Sequence, residues 1–295
     1  MAPAAPPRVF DRALARARLE RAYRGAPAVF LLERAADDLR ERLDATTKRF
    51  EDALDLGAPG PLITRMLRSR GVARVTTAAP IASAIAESRG EVVDEEALPY
   101  APESFDLVVS ALALQYVNDL PGALAQIRRA LKPDGLFLGC LVGGQSLREL
   151  RAAMTQAEIE LRGGASPRVA PFADVRDMGG LLQRAGFALP VADVDAVALR
   201  YDSMFALIRD LRAMGATNAL VSRDRRPLSR AVFARAAEVY AREFSDPDGR
   251  VRATIDIVHV SGWAPHASQQ QPLKPGSARV RLADALGAKE RKLEP

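Results

Sequence analysis

A short acidic strand followed by a glycine turn is the segment of this sequence with the clearest chemical meaning. Residues 53–56 form an apolar run with one acid, Asp55, and Gly57 follows at once. Residues 62–68 then have the composition of a helix. In α/β proteins an adenosine-containing cofactor binds at such a strand–turn–helix junction, because glycine lets the backbone come close to the ligand. We therefore predict a cofactor site that includes Asp55 and Gly57.

Two prolines interrupt the loop that follows. Pro59 and Pro61 stand where a cofactor-binding loop normally has glycines. Proline has no N–H to donate, fixes φ and restricts the residue before it. We expect the two prolines to narrow or reshape this loop relative to a glycine-rich one, and so to weaken the cofactor site.

Composition limits the function classes. With 295 residues, 48% hydrophobic and 27% charged, the chain is globular and long enough for one large domain or two small ones. The longest uncharged apolar stretches, 107–116 and 135–144, are too short to cross a bilayer, so no stable membrane insertion is expected. The net charge of +5 comes from scattered arginines, without a basic run that contains aromatic residues. This pattern favours an ordinary arginine-rich surface over a nucleic-acid interface.

Histidine and cysteine, which are typical metal ligands, are few in this sequence. The chain has two histidines, His259 and His266, and one cysteine, Cys140, with no His-x-x-x-His or Cys-x-x-Cys pair. No metal site is therefore predicted. His259 lies inside an apolar segment and is interpreted as a core residue. A single cysteine excludes an internal disulfide and fits a reducing compartment.

The rest of the first half alternates between strand and helix patterns. Besides the strand at 53–56, we predict strands at 72–77, 91–93, 105–111 and 135–142, and helices at 10–23, 31–43, 62–68, 80–89 and 121–131. Continuous apolar strands separated by helices predict a parallel sheet that is covered on both faces.

The second half is less regular and we count it with the first as one domain. Helices are predicted at 146–161, 174–185, 203–214 and 229–244, and a strand at 253–260. The single domain 1–295 then divides into an N-terminal helical cap (1–48), a cofactor-side half of the sheet (49–143), a substrate-side half with a helical lid (144–264) and a flexible tail (265–295). Within the cap, the helix at 10–23 is expected to be solvated.

The order of four segments carries a family resemblance. Leu-Asp-Leu-Gly at 54–57, Asp-Glu-Glu-Ala-Leu-Pro at 94–99, Ser-Phe-Asp-Leu-Val-Val at 104–109 and Leu-Lys-Pro-Asp-Gly at 131–135 together resemble class I S-adenosylmethionine-dependent methyltransferases. Further matching stretches run through almost the whole chain, among them Val-Phe-Asp-Arg at 9–12, Val-Asn-Asp-Leu-Pro at 117–121, Pro171-Phe172, Met214-Gly215, Asn218 and Gly262-Trp263. Within the class they are similar to the complex I assembly factors that hydroxylate an arginine, and to their bacterial relatives.

The resemblance implies a fold and a cofactor. The fold is α/β and Rossmann-like, a doubly wound and mostly parallel seven-stranded sheet with a helical N-terminal cap and a lid. The cofactor is S-adenosylmethionine, held at the carboxyl ends of the first strands. In the family an acid ends the second strand and holds the ribose hydroxyls, whereas Thr76 and Thr77 stand there in this chain. A threonine cannot accept two charge-assisted hydrogen bonds, each worth about 1.5–3 kcal/mol, so cofactor binding is in question.

The resemblance also implies candidate site residues. Asp94, with Glu95 beside it, matches the acid that lies next to the adenine in the family. Tyr116 follows the fourth strand and is a candidate to line the pocket or, equally, a core aromatic. His266 stands in a matched Gly-Trp-x-x-His-x-Ser segment and is a second weak candidate for catalysis. No triad is expected, because methyl transfer depends mainly on orientation of the nucleophile.

Three functions stay open at this point, and the sequence favours an enzyme. The first is modification of a protein arginine, by methyl transfer or hydroxylation, on a respiratory complex I subunit in the bacterial cytoplasm. Glu149, Glu158 and Glu160 on one predicted helix would receive the guanidinium, or equally form a solvated face. The second is a small-molecule or carrier-protein methyltransferase, as in biotin synthesis. The third is a non-enzymatic assembly factor with a degenerate cofactor site.

Overall fold

A seven-stranded sheet forms the centre of the computed structural model, which describes residues 8–88, 90–270 and 287. In chain order its strands are β1 (Asp52–Leu56), β2 (Arg74–Ala79), β3 (Glu91–Val92), β4 (Phe105–Ala111), β5 (Leu131–Gly143), β6 (Ala188–Tyr201) and β7 (Val251–Trp263). They lie in the order β3-β2-β1-β4-β5-β7-β6. The pairs among β1 to β5 are parallel, and β7 is antiparallel to both β5 and β6. The predicted fold class is confirmed.

Helices connect the strands and cover both faces of the sheet. Those of the described residues are α1 (Arg12–Tyr23), α2 (Phe30–Asp44), α3 (Leu62–Ser69), α4 (Ala82–Ile85), α5 (Leu120–Ala130), α6 (Arg148–Arg162), α7 (Val175–Arg184), α8 (Met204–Ala213) and α9 (Arg230–Phe244). Several begin at a polar cap. Asp119 accepts the Gly122 N–H at 2.9 Å, and Asp174 accepts the Arg176 N–H at 2.9 Å. Such caps satisfy N–H groups that have no partner within the helix.

Alternate residues of the buried strands serve two hydrophobic cores. In β1, Ala53 belongs to the core that contains Leu39 and Leu43 of α2, whereas Leu54 and Leu56 belong to the core that contains α5. Because side chains alternate along a strand, an uninterrupted apolar run is needed when both faces are covered. The apolar runs of the first half therefore predicted this architecture correctly.

The strand β6 was not predicted, and other boundaries were wrong. β6 is an edge strand that pairs with β7 along most of its length, and its residues alternate between exposed and half-buried. It carries Asp193 and Asp195, which bind Arg42 and Arg34 of α2 at 2.6–2.7 Å. Acids on an edge strand remove the apolar run on which the prediction depended. The helix predicted at 80–89 is reduced to α4, and the strand predicted at 72–77 runs instead from residue 74 to residue 79.

The helix α1 is not the solvated cap that the sequence predicted. Leu19 and Tyr23 pack against a small buried cluster that includes Ile81 and Ile85. The Tyr23 hydroxyl donates to the carbonyl oxygen of Pro59 at 3.1 Å. The helix therefore lies against the loops that follow β1 and β2.

The chain divides into two compact units, residues 1–265 and residues 266–295. Residues 1–7 and most of the predicted flexible tail, 271–286 and 288–295, lie outside the described residues. The finer domain boundaries stay a prediction. In the described part of the chain, no helix is both long and apolar enough to span a membrane.

Close contact between α1 and the end of α8 yields a stability prediction. Gly215 has a φ of +71°, and a Cβ there would lie 2.7 Å from the Leu19 Cα. Gly163 has nearly the same φ, +72°, but a Cβ there would meet nothing within 4 Å. Gly163→Ala should cost about 1 kcal/mol of backbone strain, and Gly215→Ala about 1–3 kcal/mol more through overpacking. Chemical denaturation of both variants measures the difference, and equal losses would contradict the contact.

Candidate functional site

A cavity lies where the strand order reverses, between β1 and β4. It encloses about 1190 Å³, including space that is open to solvent. The carboxyl ends of the parallel strands contribute Gly57, Pro59, Pro80, Glu95 and Ala113, and helices α1, α2 and α8 contribute the opposite walls. Ligands of open α/β sheets bind at such a reversal point. We call this space the first cavity.

Asp55, near the carboxyl end of β1, is fully buried and does not line the first cavity. Its Oδ2 accepts the Thr64 hydroxyl at 2.7 Å, and Thr64 Oγ1 lies 2.6 Å from Thr77 Oγ1. Its Oδ1 has no hydrogen-bond partner among the described residues. Burial raises the pKa of Asp55 to about 7, against the opposing effect of the Thr64 hydrogen bonds. That Asp55 takes part in cofactor binding, rather than only ending a turn, stays a prediction.

The loop after β1 keeps two glycines in the left-handed region. Gly57 has a φ of +80° and donates its N–H to the Ala78 carbonyl at 2.6 Å, and Gly60 has a φ of +86°. A Cβ on Gly57 would lie 2.6 Å from the Ala113 Cβ. Pro59 lines the cavity, and Pro61 immediately precedes α3, where a missing N–H costs little. That the prolines narrow the loop stays a prediction.

The second strand ends later than predicted. Leu56 pairs with Ala78, and Ala79 pairs with Val92, so β2 continues past Thr77. The prediction that Thr76 and Thr77 stand at the end of this strand is therefore wrong. Ala79 and Pro80 stand there, and neither side chain can accept a hydrogen bond from a ribose hydroxyl. The expected acid is absent from the end of β2.

Asp94 and Glu95 are bound by arginines of α1. Arg12 contacts Asp94 Oδ1 at 2.8 Å and also the carboxylate of Glu95, and Arg16 contacts Asp94 Oδ2 at 2.6 Å. Burial by itself would raise the pKa of Asp94, but the Glu96 N–H, Arg16 and Arg12 outweigh it and the pKa is lowered. Glu95 is 4% exposed, and its burial raises its pKa despite Arg12. Arg12, Arg16 and Glu95 all line the first cavity.

Tyr116 joins the first cavity to a second one. The two cavities share Tyr116, Leu147, Phe172, Leu211 and Ala216. Burial raises the pKa of Tyr116 to about 12, so near neutral pH it is a phenol rather than a phenolate. Tyr116 can therefore act as a hydrogen-bond donor or as an apolar wall, whereas a role as general base is disfavoured. The structure places this predicted residue at the site without testing its role.

Neither His259 nor Cys140 lines the first or the second cavity. His259 is 1% exposed in β7, with its Nε2 3.7 Å from Asp38 and no hydrogen-bond partner for either ring nitrogen among the described residues. Burial, helped by Arg42, lowers its pKa, which keeps the ring neutral at neutral pH. His266 belongs to the second compact unit, is exposed, and has its Nδ1 2.7 Å from Ser268 Oγ. Cys140 is buried and its pKa rises to about 12.

The acids of α6 already have partners. Glu149 accepts the Thr254 N–H at 3.0 Å, Glu158 is fully buried and bound by Arg168 at 2.6 Å, and Glu160 is bound by Arg235 at 2.6 Å. None of the three lines the first or second cavity. Glu149 and Glu158 are buried, so the interpretation of these two acids as a solvated face is wrong, whereas reception of a substrate guanidinium by acids of α6 stays a prediction. In the described part of the chain, no group of three or more His, Cys, Asp or Glu could hold a metal ion.

Comparison with known proteins identifies the family. A methyltransferase domain model matches residues 54–139. The chain is 37% identical over 286 residues to the mitochondrial arginine-hydroxylase NDUFAF5 of Danio rerio, covering 94% of this chain and 89% of that protein. It is 35% identical over 276 residues to the malonyl-[acyl-carrier protein] O-methyltransferase of Halorhodospira halophila, covering 90% of each. The chain belongs to the class I S-adenosylmethionine-dependent methyltransferase family.

A solved structure agrees on the fold. The crystal structure of a candidate methyltransferase from Bacillus halodurans superimposes with a TM-score of 0.54 at 14% identity, covering 78% of this chain and all of that one. S-adenosylmethionine is the cofactor of this family, and of the residues expected to hold it Gly57 and Glu95 line the first cavity. Asp55 and Asp94 do not line that cavity, so their part in cofactor binding stays a prediction.

Sequence reasoning missed Arg12, Arg16 and Phe172 as residues of the site. Arg12 and Phe172 belonged to matching stretches at 9–12 and 171–172, which were used to identify the family but given no chemical role. Arg12 contacts a carboxylate 83 residues away, so nothing in local spacing reveals the pair. The sequence signal that could have pointed to Arg12 and Phe172 was their position in stretches that match the family.

A pH-dependent stability is expected from Asp55. In the unfolded chain its carboxyl ionises near the ordinary value of 3.8, whereas in the folded protein it stays protonated until about pH 7. The contribution of Asp55 to the free energy of unfolding is therefore fully present below pH 3.8 and is lost as the pH rises through about 7. Asp55→Asn keeps an oxygen for Thr64 and cannot ionise. The free energy of unfolding of this variant, relative to that of the wild type, should therefore rise between pH 3.8 and about 7, by on the order of 4 kcal/mol at most. Denaturation at several pH values tests this, with exposed Asp37→Asn as the control. Parallel curves for Asp55→Asn and the wild type would contradict it.

Restoring glycines should strengthen the cofactor site. Pro59→Gly with Pro61→Gly returns two N–H groups, and each new contact should raise affinity by roughly fivefold. Calorimetric titration with S-adenosylmethionine measures the change, and Pro247→Gly in an exposed loop is the matched control. If the double variant binds no better than the wild type, the missing acid of β2 is the larger defect. Ala79→Asp should then raise the affinity instead.

Proposed function

We propose that this chain is a bacterial cytoplasmic enzyme that uses the first cavity to modify an arginine side chain of a respiratory complex I subunit. The observation that carries the proposal is where the matching segments lie. Arg12, Phe172, Met214 and Gly215 line the first cavity and Asn218 lines the second, so the resemblance extends beyond the methyltransferase core to the walls around a substrate. Relatives with the name arginine-hydroxylase match 94% of the chain.

The cavity contains an acid suited to a guanidinium. Glu95 is buried beside Gly57, with its Oε1 3.4 Å from the place where a Cβ of that glycine would stand. Carboxylates bind arginine by charge-assisted hydrogen bonds, which are strongest in a desolvated site. In this protein the intramolecular Arg12 already makes such a contact with Glu95.

The residues of the cavity can orient and desolvate the reacting groups. The bound cofactor supplies an electrophilic methyl group on a sulfonium. Leu147, Phe172 and Leu211 exclude water at the junction of the two cavities, and the Tyr116 phenol can donate a hydrogen bond there. Placing a nucleophile in line can supply much of the rate. Hydroxylation would need an activated oxygen species, and we derive no step for its formation.

A second function is favoured by the charge of the second cavity. Its charged lining residues are Arg168 and Arg212, and no acid lines it in the described part of the chain. Arg168 is largely neutralised by Glu158, whereas Arg212 is exposed. Arginine binds carboxylates, so this end of the site would suit a carboxylated acyl chain on a carrier protein. The malonyl-carrier-protein methyltransferases among the relatives bear such a name.

Mass spectrometry separates these functions. The purified chain is incubated with S-adenosylmethionine and either the peripheral subunits of a bacterial complex I or a malonylated carrier protein. We expect a single arginine of a complex I subunit to gain a methyl group or an oxygen atom, and Glu95→Gln to lower that yield at least about tenfold through loss of a charged hydrogen bond. Arg24→Gln, at the exposed residue that follows α1, is the control.

Other outcomes decide against the proposal in distinct ways. A methyl ester on the malonyl group, with the subunits unmodified, would establish the second function. No heat of binding with millimolar S-adenosylmethionine would remove methyl transfer altogether. It would leave the chain as an assembly factor with a degenerate cofactor site.

A further inference from the structure

The segment Val9–Arg12 contacts loops of both cavities, and we call it the N-terminal strap. On the cofactor side it binds Asn118, which follows β4. The N–H groups of Val9 and Phe10 donate to Asn118 Oδ1 at 2.9 and 2.8 Å, and Asn118 Nδ2 donates back to the Phe10 carbonyl at 3.2 Å. A single amide side chain thus holds the strap by three hydrogen bonds.

Arg12 extends this attachment to three consecutive acids. Its guanidinium contacts Asp94 at 2.8 Å, Glu96 at 3.0 Å and the buried carboxylate of Glu95. Glu96 in turn accepts the backbone N–H of Asn118 at 2.5 Å. The strap, the acidic loop after β3 and the turn after β4 therefore form one closed network. The Arg12 side chain is only 14% exposed, so solvent screens these pairs weakly.

On its other side the strap holds residues 217–223, which we call the lid loop. The Asp11 N–H donates to the Ala219 carbonyl at 2.8 Å, and the Val221 N–H donates to the Val9 carbonyl at 2.9 Å. Arg223 completes the contact with the Asp11 carboxylate at 3.1 Å. Thr217, Asn218 and Ala219 of this loop line the second cavity.

The strap also fixes the aromatic residue between the cavities. Phe10 is buried, and its ring meets the Tyr116 ring edge to face, with centroids 5.4 Å apart and planes at 89°. Aromatic pairs prefer this geometry. Displacement of the strap would therefore release the acidic loop, Tyr116 and the lid loop together.

We propose that Arg12 is a positioning residue, and that the strap couples the cofactor loop to the lid loop. Arg12 holds Glu95 over Gly57 and keeps the strap seated, and the seated strap orders residues 217–223. A ligand that orders the acidic loop stabilises the same arrangement, so cofactor binding and closure of the second cavity favour each other. The inference does not depend on which substrate the enzyme modifies.

Hydrogen exchange of the full chain tests the coupling, with S-adenosylhomocysteine as the probe. Arg12→Met removes the charge and keeps the length of the side chain. Arg16→Met is the matched control, because Arg16 contacts Asp94 but neither Glu95 nor Glu96 in the contacts described. In the ligand-free protein we expect exchange of the 219–223 amides to rise about tenfold or more in Arg12→Met and to change little in Arg16→Met. The probe should slow these amides in the wild type and have less effect in Arg12→Met.

Two results would overturn the proposal. One is unchanged exchange of the lid loop in ligand-free Arg12→Met, and the other is an equal effect of Arg16→Met. Amides of β1 and β4 report whether the variant is folded. If Arg12→Met does not fold, Arg12→Lys is measured by the same criterion, since lysine keeps one ion pair but loses the fork that reaches three acids. The ligand-free comparison stands even if the probe binds weakly, and it needs no arginine substrate.

Discussion

Gly57 and Ala113 approach so closely that a Cβ on the glycine would lie 2.6 Å from the alanine Cβ. This contact brings the loop after β1 against the turn after β4, at the point where the strand order reverses. Glu95 Oε1 lies 3.4 Å from the same Cβ position, so the loop after β1, the turn after β4 and the acidic loop after β3 meet at one point of the first cavity. Only glycine combines a φ of +80° with the absence of a side chain there. Pro59 and Pro61 follow Gly57, and the close contact with Ala113 is present despite them. The prolines therefore remove N–H donors from the loop without removing this contact.

Charge organises the wall of the cavity opposite the sheet. Three carboxylates in succession after β3 would repel one another if they stood alone in a partly buried loop. Arg12 and Arg16 relieve that repulsion, and in doing so they hold α1 across the cavity. The same arginines compete with any cofactor group that donates to Asp94. Affinity for the cofactor therefore depends on α1 as well as on the residues beneath the ligand.

The apolar runs in the sequence predicted the strands that are buried on both faces of the sheet. The runs at 53–56, 105–111 and 135–142 were predicted as strands, because short apolar runs bounded by turns and separated by helices are typical of a sheet that is covered on both faces. β6 escaped prediction because it lies at the edge, and its Asp193 and Asp195 are stabilised by arginines of α2. The true end of β2 depends on pairing with β3, which the sequence around Thr77 does not encode. Of the residues predicted from motif and resemblance, Gly57, Glu95 and Tyr116 line the first cavity, whereas Asp55 and Asp94 do not. Arg12 was not given a role, because its partners are distant in the chain.

The two cavities differ in charge, and this difference bears on the chemistry. The first is lined by Glu95 together with Arg12 and Arg16, whereas the charged residues that line the second are Arg168 and Arg212. Arg168 is paired with the buried Glu158, and Arg212 is exposed. Under the proposed arginine modification, a substrate guanidinium would have to replace Arg12 at Glu95, because Arg12 already binds that carboxylate. Under the alternative function, the carboxylate of an acyl chain would pair with the exposed Arg212. The two functions therefore place different demands on the charged residues of the two cavities.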